Sequence, residues 1–176
     1  FADPADARAA VIWLSGVHDL GKASPAFQSQ SIADAQRVED HGLPVSPAYG
    51  RAREAPHATV GAALLVRELQ AQGWSRRVAN RWACLVAAHH GVFGPVKPNL
   101  VNALPDLVGS GSWDGEVQWL LSRVNDFAGA DEPLAEWSRL VPPVPQRMLM
   151  AGLMVLADWL ASNERVAGYL NGPASE

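Results

Sequence analysis

The sequence predicts an all-α fold, on three observations. Apolar residues recur at helical spacing almost throughout, no stretch alternates as a strand would, and the periodic stretches are bracketed by helix start and stop residues. Asp3-Pro4 is an N-cap followed by a favoured first-turn proline. Ala10, Val11, Leu14 and Val17 then trace one face of a helix that ends near His18-Asp19, with Gly21 as the stop. Ser24-Pro25 repeats the start for a short helix to about Gln30. Residues 31–56 are polar and rich in proline and glycine, which predicts a long loop with room for a helical turn.

A second long helix is expected from His57 to Gln72, burying Val60, Leu64, Leu65 and Leu69 and closing at Gly73. Ser75 caps a third, from Arg76 to His90, stopped by Gly91. Residues 92–115 are a second long loop with three prolines. Helices at 115–127 and 133–139 follow, and Pro142, Pro143 and Pro145 break the chain before a last long helix over 146–162. There is no internal repeat, and the 176 residues suit one domain over 1–176.

Composition narrows the function classes. The net charge of −4 argues against a module that grips nucleic acid by charge alone. It leaves room for a site in which bound cations attract a phosphodiester locally. The one cysteine, Cys84, excludes an internal disulfide and a Cys-rich zinc motif, and it fits a reducing, cytoplasmic setting as a small core residue. No apolar run approaches the length of a membrane span, so no membrane partner is expected.

Four local motifs carry chemistry. In "HDLGK" (18–22), a His-Asp pair at a helix end can set an imidazole and a carboxylate against adjacent metals, Asp19 bridging both through its two oxygens. His57 opens a helix directly after Pro56. In "AAHHG" (87–91), His89 and His90 point in different directions and so do not both serve packing, yet both can reach one ion if the helix end frays. Asp158 lies inside the apolar "MVLADWLASN", where burying a carboxylate is costly unless it is paired or metal-bound, and Ser162 shares its face one turn on.

Each motif alone also reads as ordinary helix-end or surface polarity. Together, His18, Asp19, His57, His89, His90 and Asp158 supply six N/O ligands, about what a two-metal phosphodiesterase needs. Imidazole-rich sites suit Mn, Fe, Co or Ni better than Ca, with Mg a further candidate. Of the five histidines only His41 lies outside the set, and it reads as surface. Arg51, Arg53 and Lys97, in the two long loops, are candidate phosphate contacts.

The stretches "WLSGVHDLGKASPAFQ" (13–28), "HATVGA" (57–62), "AAHHG" (87–91) and "AGLMVLADWLASNE" (151–164) carry a resemblance. Over about residues 5–165 the chain resembles the HD nuclease domain of the type I CRISPR-associated nuclease-helicase, within the HD phosphohydrolase superfamily. The resemblance implies an HD helical bundle that hydrolyses single-stranded DNA with two divalent metal ions. By position, Asp19 would bridge the ions, with His18 and Asp158 on one and His57, His89 and His90 on the other. Lys22 would sit beside the scissile phosphate and Ser162 would support the site. The implied partners are a helicase domain, in cis or in trans, and a CRISPR target-recognition complex.

The family carries a further histidine ligand upstream of the His-Asp pair, and none precedes His18 here. The chain opens on Phe1 and ends at Glu176, so the segment bearing that ligand and the helicase are both expected to be absent. The ion between His18 and Asp158 is then expected to be held weakly and the other firmly. Two alternatives stay open: a nucleotide or cyclic-nucleotide phosphohydrolase on the same scaffold, and a catalytically inactive HD module that docks protein or nucleic acid.

Overall fold

The computed structural model describes residues 1, 3–91 and 93–163. Among them are ten α-helices and three 3-10 turns, and no strand. The expected domain limit at 176 and Glu164 of the last motif lie outside the described residues.

Helix α1 (Pro4–Val17) starts where the Asp3 carboxylate accepts the Ala5 N–H at 2.8 Å. A 3-10 turn (Leu20–Lys22) and the short α2 (Pro25–Gln28) follow, the latter capped by the Ser24 hydroxyl. The loop expected over 31–56 is more ordered than its composition suggests. It contains α3 (Ile32–Asp40), whose Ser31 cap accepts from the Asp34 N–H, and 3-10 turns at Ser46–Ala48 and Ala52–Glu54. The helix buries only Ala35, against Val45 and Trp113, too small an apolar stripe to register as periodicity.

Helix α4 (His57–Ala71) is as expected, but α5 (Arg76–Ala87) stops short of His90. Gly91, with φ +82°, closes a turn in which the Gly91 N–H bonds the Ala88 carbonyl at 2.7 Å, so both histidines leave the helix. The second expected loop holds α6 (Leu100–Ala103) and α7 (Pro105–Val108), and α8 (Ser112–Ala128) begins before Gly115. That earlier start is set by Asp114, whose carboxylate accepts the Gly111 N–H at 2.9 Å. Helix α9 (Asp131–Trp137) and helix α10 (Val144–Ala161) complete the order, each shifted about two residues toward the N-terminus of its expected range.

Helix α1 packs between α8 and α10, and α4 lies along α5. The core is built on tryptophan. Trp82 and Trp137 stack at 5.3 Å, Trp13 meets both edge-on at about 6 Å, and Trp74 meets Trp82 the same way. The buried indoles are anchored by Trp13 Nε1–H to Asn125 Oδ1 at 2.8 Å and Trp82 Nε1–H to the Leu140 carbonyl at 3.0 Å. Cys84 is half-buried beside this core. No described helix is long and apolar enough to cross a membrane.

Candidate metal centre

The C-terminus of α1 delivers His18 and Asp19 into the turn that follows, and that turn is locked against the first turn of α4. A Cβ on Gly21 would fall on the His57 carbonyl oxygen, and a Cβ on Gly61 would lie 2.9 Å from the Gly21 nitrogen. Only glycine permits such an approach on both sides. Ser24, fully buried, donates to the Gly21 carbonyl at 2.7 Å, and Gln28 Nε2–H donates to the Lys22 carbonyl at 2.9 Å. The backbone contact therefore fixes Asp19 relative to His57.

Around Asp19 the side chains fall into two clusters: His18, Asp19 and Asp158, and His57, His89 and His90. Within each, the ligand atoms lie within 4.8 Å of one another. Asp19 stands between them. Its Oδ2 is 3.2 Å from His18 Nε2, and its Oδ1 is 3.4 Å from His57 Nε2 and 3.7 Å from His89 Nε2. Asp158 Oδ1 closes the first cluster, 3.4 Å from His18 Nε2. Counting Asp19 in both, the second cluster has four donors and the first three among the described residues.

The imidazoles are oriented by the main chain. His18 Nδ1–H donates to the Ser15 carbonyl at 2.7 Å and His89 Nδ1–H to the Val86 carbonyl at 2.6 Å. In their neutral forms both rings then carry the lone pair on Nε2, facing inward. Among the described residues, His18 Nε2 is buried without a hydrogen-bond partner and is aimed at two carboxylate oxygens. His57 Nε2 faces His89 Nε2 at 3.2 Å and His90 Nε2 at 3.1 Å. A single proton satisfies one such pair, whereas a cation satisfies all the converging lone pairs, so the donor set fits divalent metal.

The ionisation states agree with this arrangement. Burial opposes the charge on Asp19, but the His18 and His57 imidazoles and the Lys22 ammonium outweigh it and hold its carboxyl far below the usual carboxylate range. Burial also lowers His18, yet the Asp19 carboxylate, the Ser15 carbonyl and Asp158 raise it overall. His89 is pushed down, by burial first and then by the neighbouring histidines.

The other expected site residues are distributed unevenly. Lys22 Nζ contacts Asp19 Oδ2 at 2.6 Å and lies 5.7 Å from the Phe27 ring centroid. The Ser162 hydroxyl donates to Asp158 Oδ1 at 3.2 Å. Arg51 is closed on Glu54 through two bonds of 3.0 Å, so its guanidinium is already engaged. Arg53 is exposed on the same turn, and exposed Lys97 rims a cavity of about 280 Å³ with Thr59 and Ala87. His41 is exposed and bonds the Arg37 carbonyl. Gly21, Gly61, Ser24 and Gln28 carry no site signal of their own in the sequence, because their roles arise from packing of the turn on α4 and α2. The one sequence trace is the run of small and turn-forming residues that follows the His-Asp pair.

An all-α bundle whose first long helix runs into a His-Asp pair faced by further imidazoles and an aspartate defines the class: an HD domain. The sequence model described as "Cas3, HD domain" matches residues 1–167, and this chain belongs to that family. It is 31% identical over 161 residues to the CRISPR-associated endonuclease/helicase Cas3 of Thermus thermophilus, covering 91% of this chain and 17% of that protein. A crystal structure of a CRISPR-associated protein matches with TM-score 0.75 and 34% identity over 96% of this chain and 18% of the other. T. fusca Cas3 matches with TM-score 0.69 and 26% identity over 93% and 17%. The chain thus spans under a fifth of the length of these relatives.

Proposed function

We propose that this domain is a metal-dependent nuclease that hydrolyses phosphodiester bonds of single-stranded DNA in type I CRISPR interference. The observation that carries the reading is the placement of Asp19, one oxygen toward each cluster. His57, His89, His90 and Asp19 would hold one divalent ion, and His18, Asp158 and Asp19 a second, of the Mn, Fe, Co or Ni type, with Mg also possible. Bound there, such ions supply Lewis acidity and a water activated at neutral pH.

The chain's own residues do the positioning. The Ser15 and Val86 carbonyls hold the His18 and His89 rings with Nε2 inward, and Ser162 orients Asp158. Asp19 stays ionised across the working range of pH. Lys22, with 44% of its side chain exposed beside Asp19, can turn to a phosphate oxygen and stabilise its developing charge. Arg53 and Lys97 remain free to meet the outlying backbone of the strand, whereas Arg51 would first have to leave Glu54. The printed name of the Thermus relative joins endonuclease to helicase, which supports a helicase partner, in cis or in trans, and a CRISPR target-recognition complex is the further partner proposed from the family resemblance. The cytoplasm is the compartment where such partners would be met.

The test sets circular single-stranded DNA against deoxynucleoside triphosphates with Mn²⁺, for the wild-type domain and Asp19→Ala. The expected result is cleavage of the circle, reduced by about 10² or more in the variant. Hydrolysis of the triphosphates alone would support the mononucleotide alternative. Cleavage that survives in Asp19→Ala would remove the bridging carboxylate from the mechanism.

A further inference from the structure

Beside Asp19 lies a cavity of about 380 Å³ between the end of α1, the turn that follows it, and α8. Its walls are Val17, Leu20, Leu120, Leu121 and Val124, and its polar side chains are Asp19, Lys22 and Gln28. Asp19 and Lys22 are the pair joined at 2.6 Å next to the metal-ligand clusters. Clefts of roughly 300–1,000 Å³ with apolar walls and a few polar groups that fix orientation are typical of small-ligand sites.

We infer that this cavity is a nucleoside subsite, which seats the base and sugar of the nucleotide flanking the scissile phosphate. The inference rests on the nuclease reading of the adjacent metal centre. A nucleotide carries its charge on the phosphate and its flat, weakly polar surface on the base. The Lys22 ammonium matches the phosphate, and the aliphatic walls match the face of a base. Gln28 is tethered through its Nε2–H to the Lys22 carbonyl, which leaves its carbonyl oxygen as an acceptor for the base edge. Gly16 lines the same cavity, and a Cβ there would lie 2.5 Å from Val124 Cγ1, so α8 is drawn close to α1 at this point.

The experiment has two readouts on the whole domain loaded with Zn²⁺, which is diamagnetic and suits imidazole ligands. In the first, thymidine 5′-monophosphate and inorganic phosphate are titrated separately while the methyl resonances of Val17, Leu120, Leu121 and Val124 are followed. The nucleotide is expected to shift these methyls and phosphate is not, and Leu120→Trp, which fills the cavity, is expected to abolish the shifts. In the second, with Mn²⁺, the kcat/KM ratio of thymidine 5′-(p-nitrophenyl phosphate) to methyl p-nitrophenyl phosphate is expected to fall about tenfold in Leu120→Trp and less in the milder Leu120→Phe. Nucleotide binding without methyl shifts, no nucleotide binding, or an unchanged ratio in both variants would overturn the subsite. Methyl shifts without hydrolysis of either ester would retain the subsite and overturn the nuclease reading instead.

Discussion

Gly21 and His57 meet backbone to backbone, with no space between them for a Cβ. The contact sets the distance between Asp19 and the first imidazole of the second cluster, so a residue without a side chain determines the geometry of one with a ligand. Gly21→Ala is expected to lower stability by about 1–3 kcal/mol or more through overpacking, and to lower metal content as Asp19 moves from His57. Thermal unfolding and metal analysis read both effects. Gly115→Ala provides the contrast: its Cβ would meet open space inside α8, and a gain of about 0.5–1 kcal/mol is expected.

Much of the fold and of the candidate site was legible in the sequence. The long helices α1, α4, α5 and α10 each bury a periodic apolar face, and caps or prolines punctuate them. The six ligand candidates stood out because His and Asp at helix ends or in an apolar helix have few packing roles. What was not legible depends on tertiary contact. Helix α3 buries one alanine, so its pattern resembled a loop. The exit of His89 and His90 from α5 follows from Gly91 in the left-handed region. The engagement of Arg51 by Glu54 follows from a 3-10 turn that composition did not suggest.

Near neutrality, the pH dependence of the metal-free domain follows from two histidines shifted in opposite directions from 6.5. His89 is lowered when folded, so the unfolded chain binds more protons between the folded value and 6.5, and stability rises with pH across that window. His18 is raised, so its contribution is complete below 6.5 and is lost as pH climbs through the folded value. The metal-free domain should therefore be most stable near pH 6.5 and should decline above it. His18→Gln should flatten the alkaline limb of a melting-temperature profile, and a limb unchanged by the substitution would contradict the assignment.

Lys22 contacts Asp19 without belonging to either cluster. Lys22→Ala is expected to leave metal content as it was and to lower kcat about 10²-fold, the effect of removing one donor from a developing oxyanion. Equal losses in metal content and rate would make Lys22 a support for Asp19 rather than a contact to phosphate.

Two tryptophans of the core differ in one bond. Trp82 donates to the Leu140 carbonyl, while Trp137 Nε1 is buried without a partner among the described residues. Both substitutions to Phe leave a smaller ring, but Trp82→Phe also orphans a carbonyl. It is expected to cost about 1 kcal/mol more than Trp137→Phe in denaturant unfolding.

In the proposed nuclease, Asp19 joins two metal sites. Anomalous diffraction from crystals of the domain grown with Mn²⁺ measures this directly. Anomalous peaks are expected on both sides of the Asp19 carboxylate, the stronger one ringed by His57, His89 and His90 and the weaker one beside His18 and Asp158. A single ion that does not touch Asp19, or no ion among His57, His89 and His90, would contradict it.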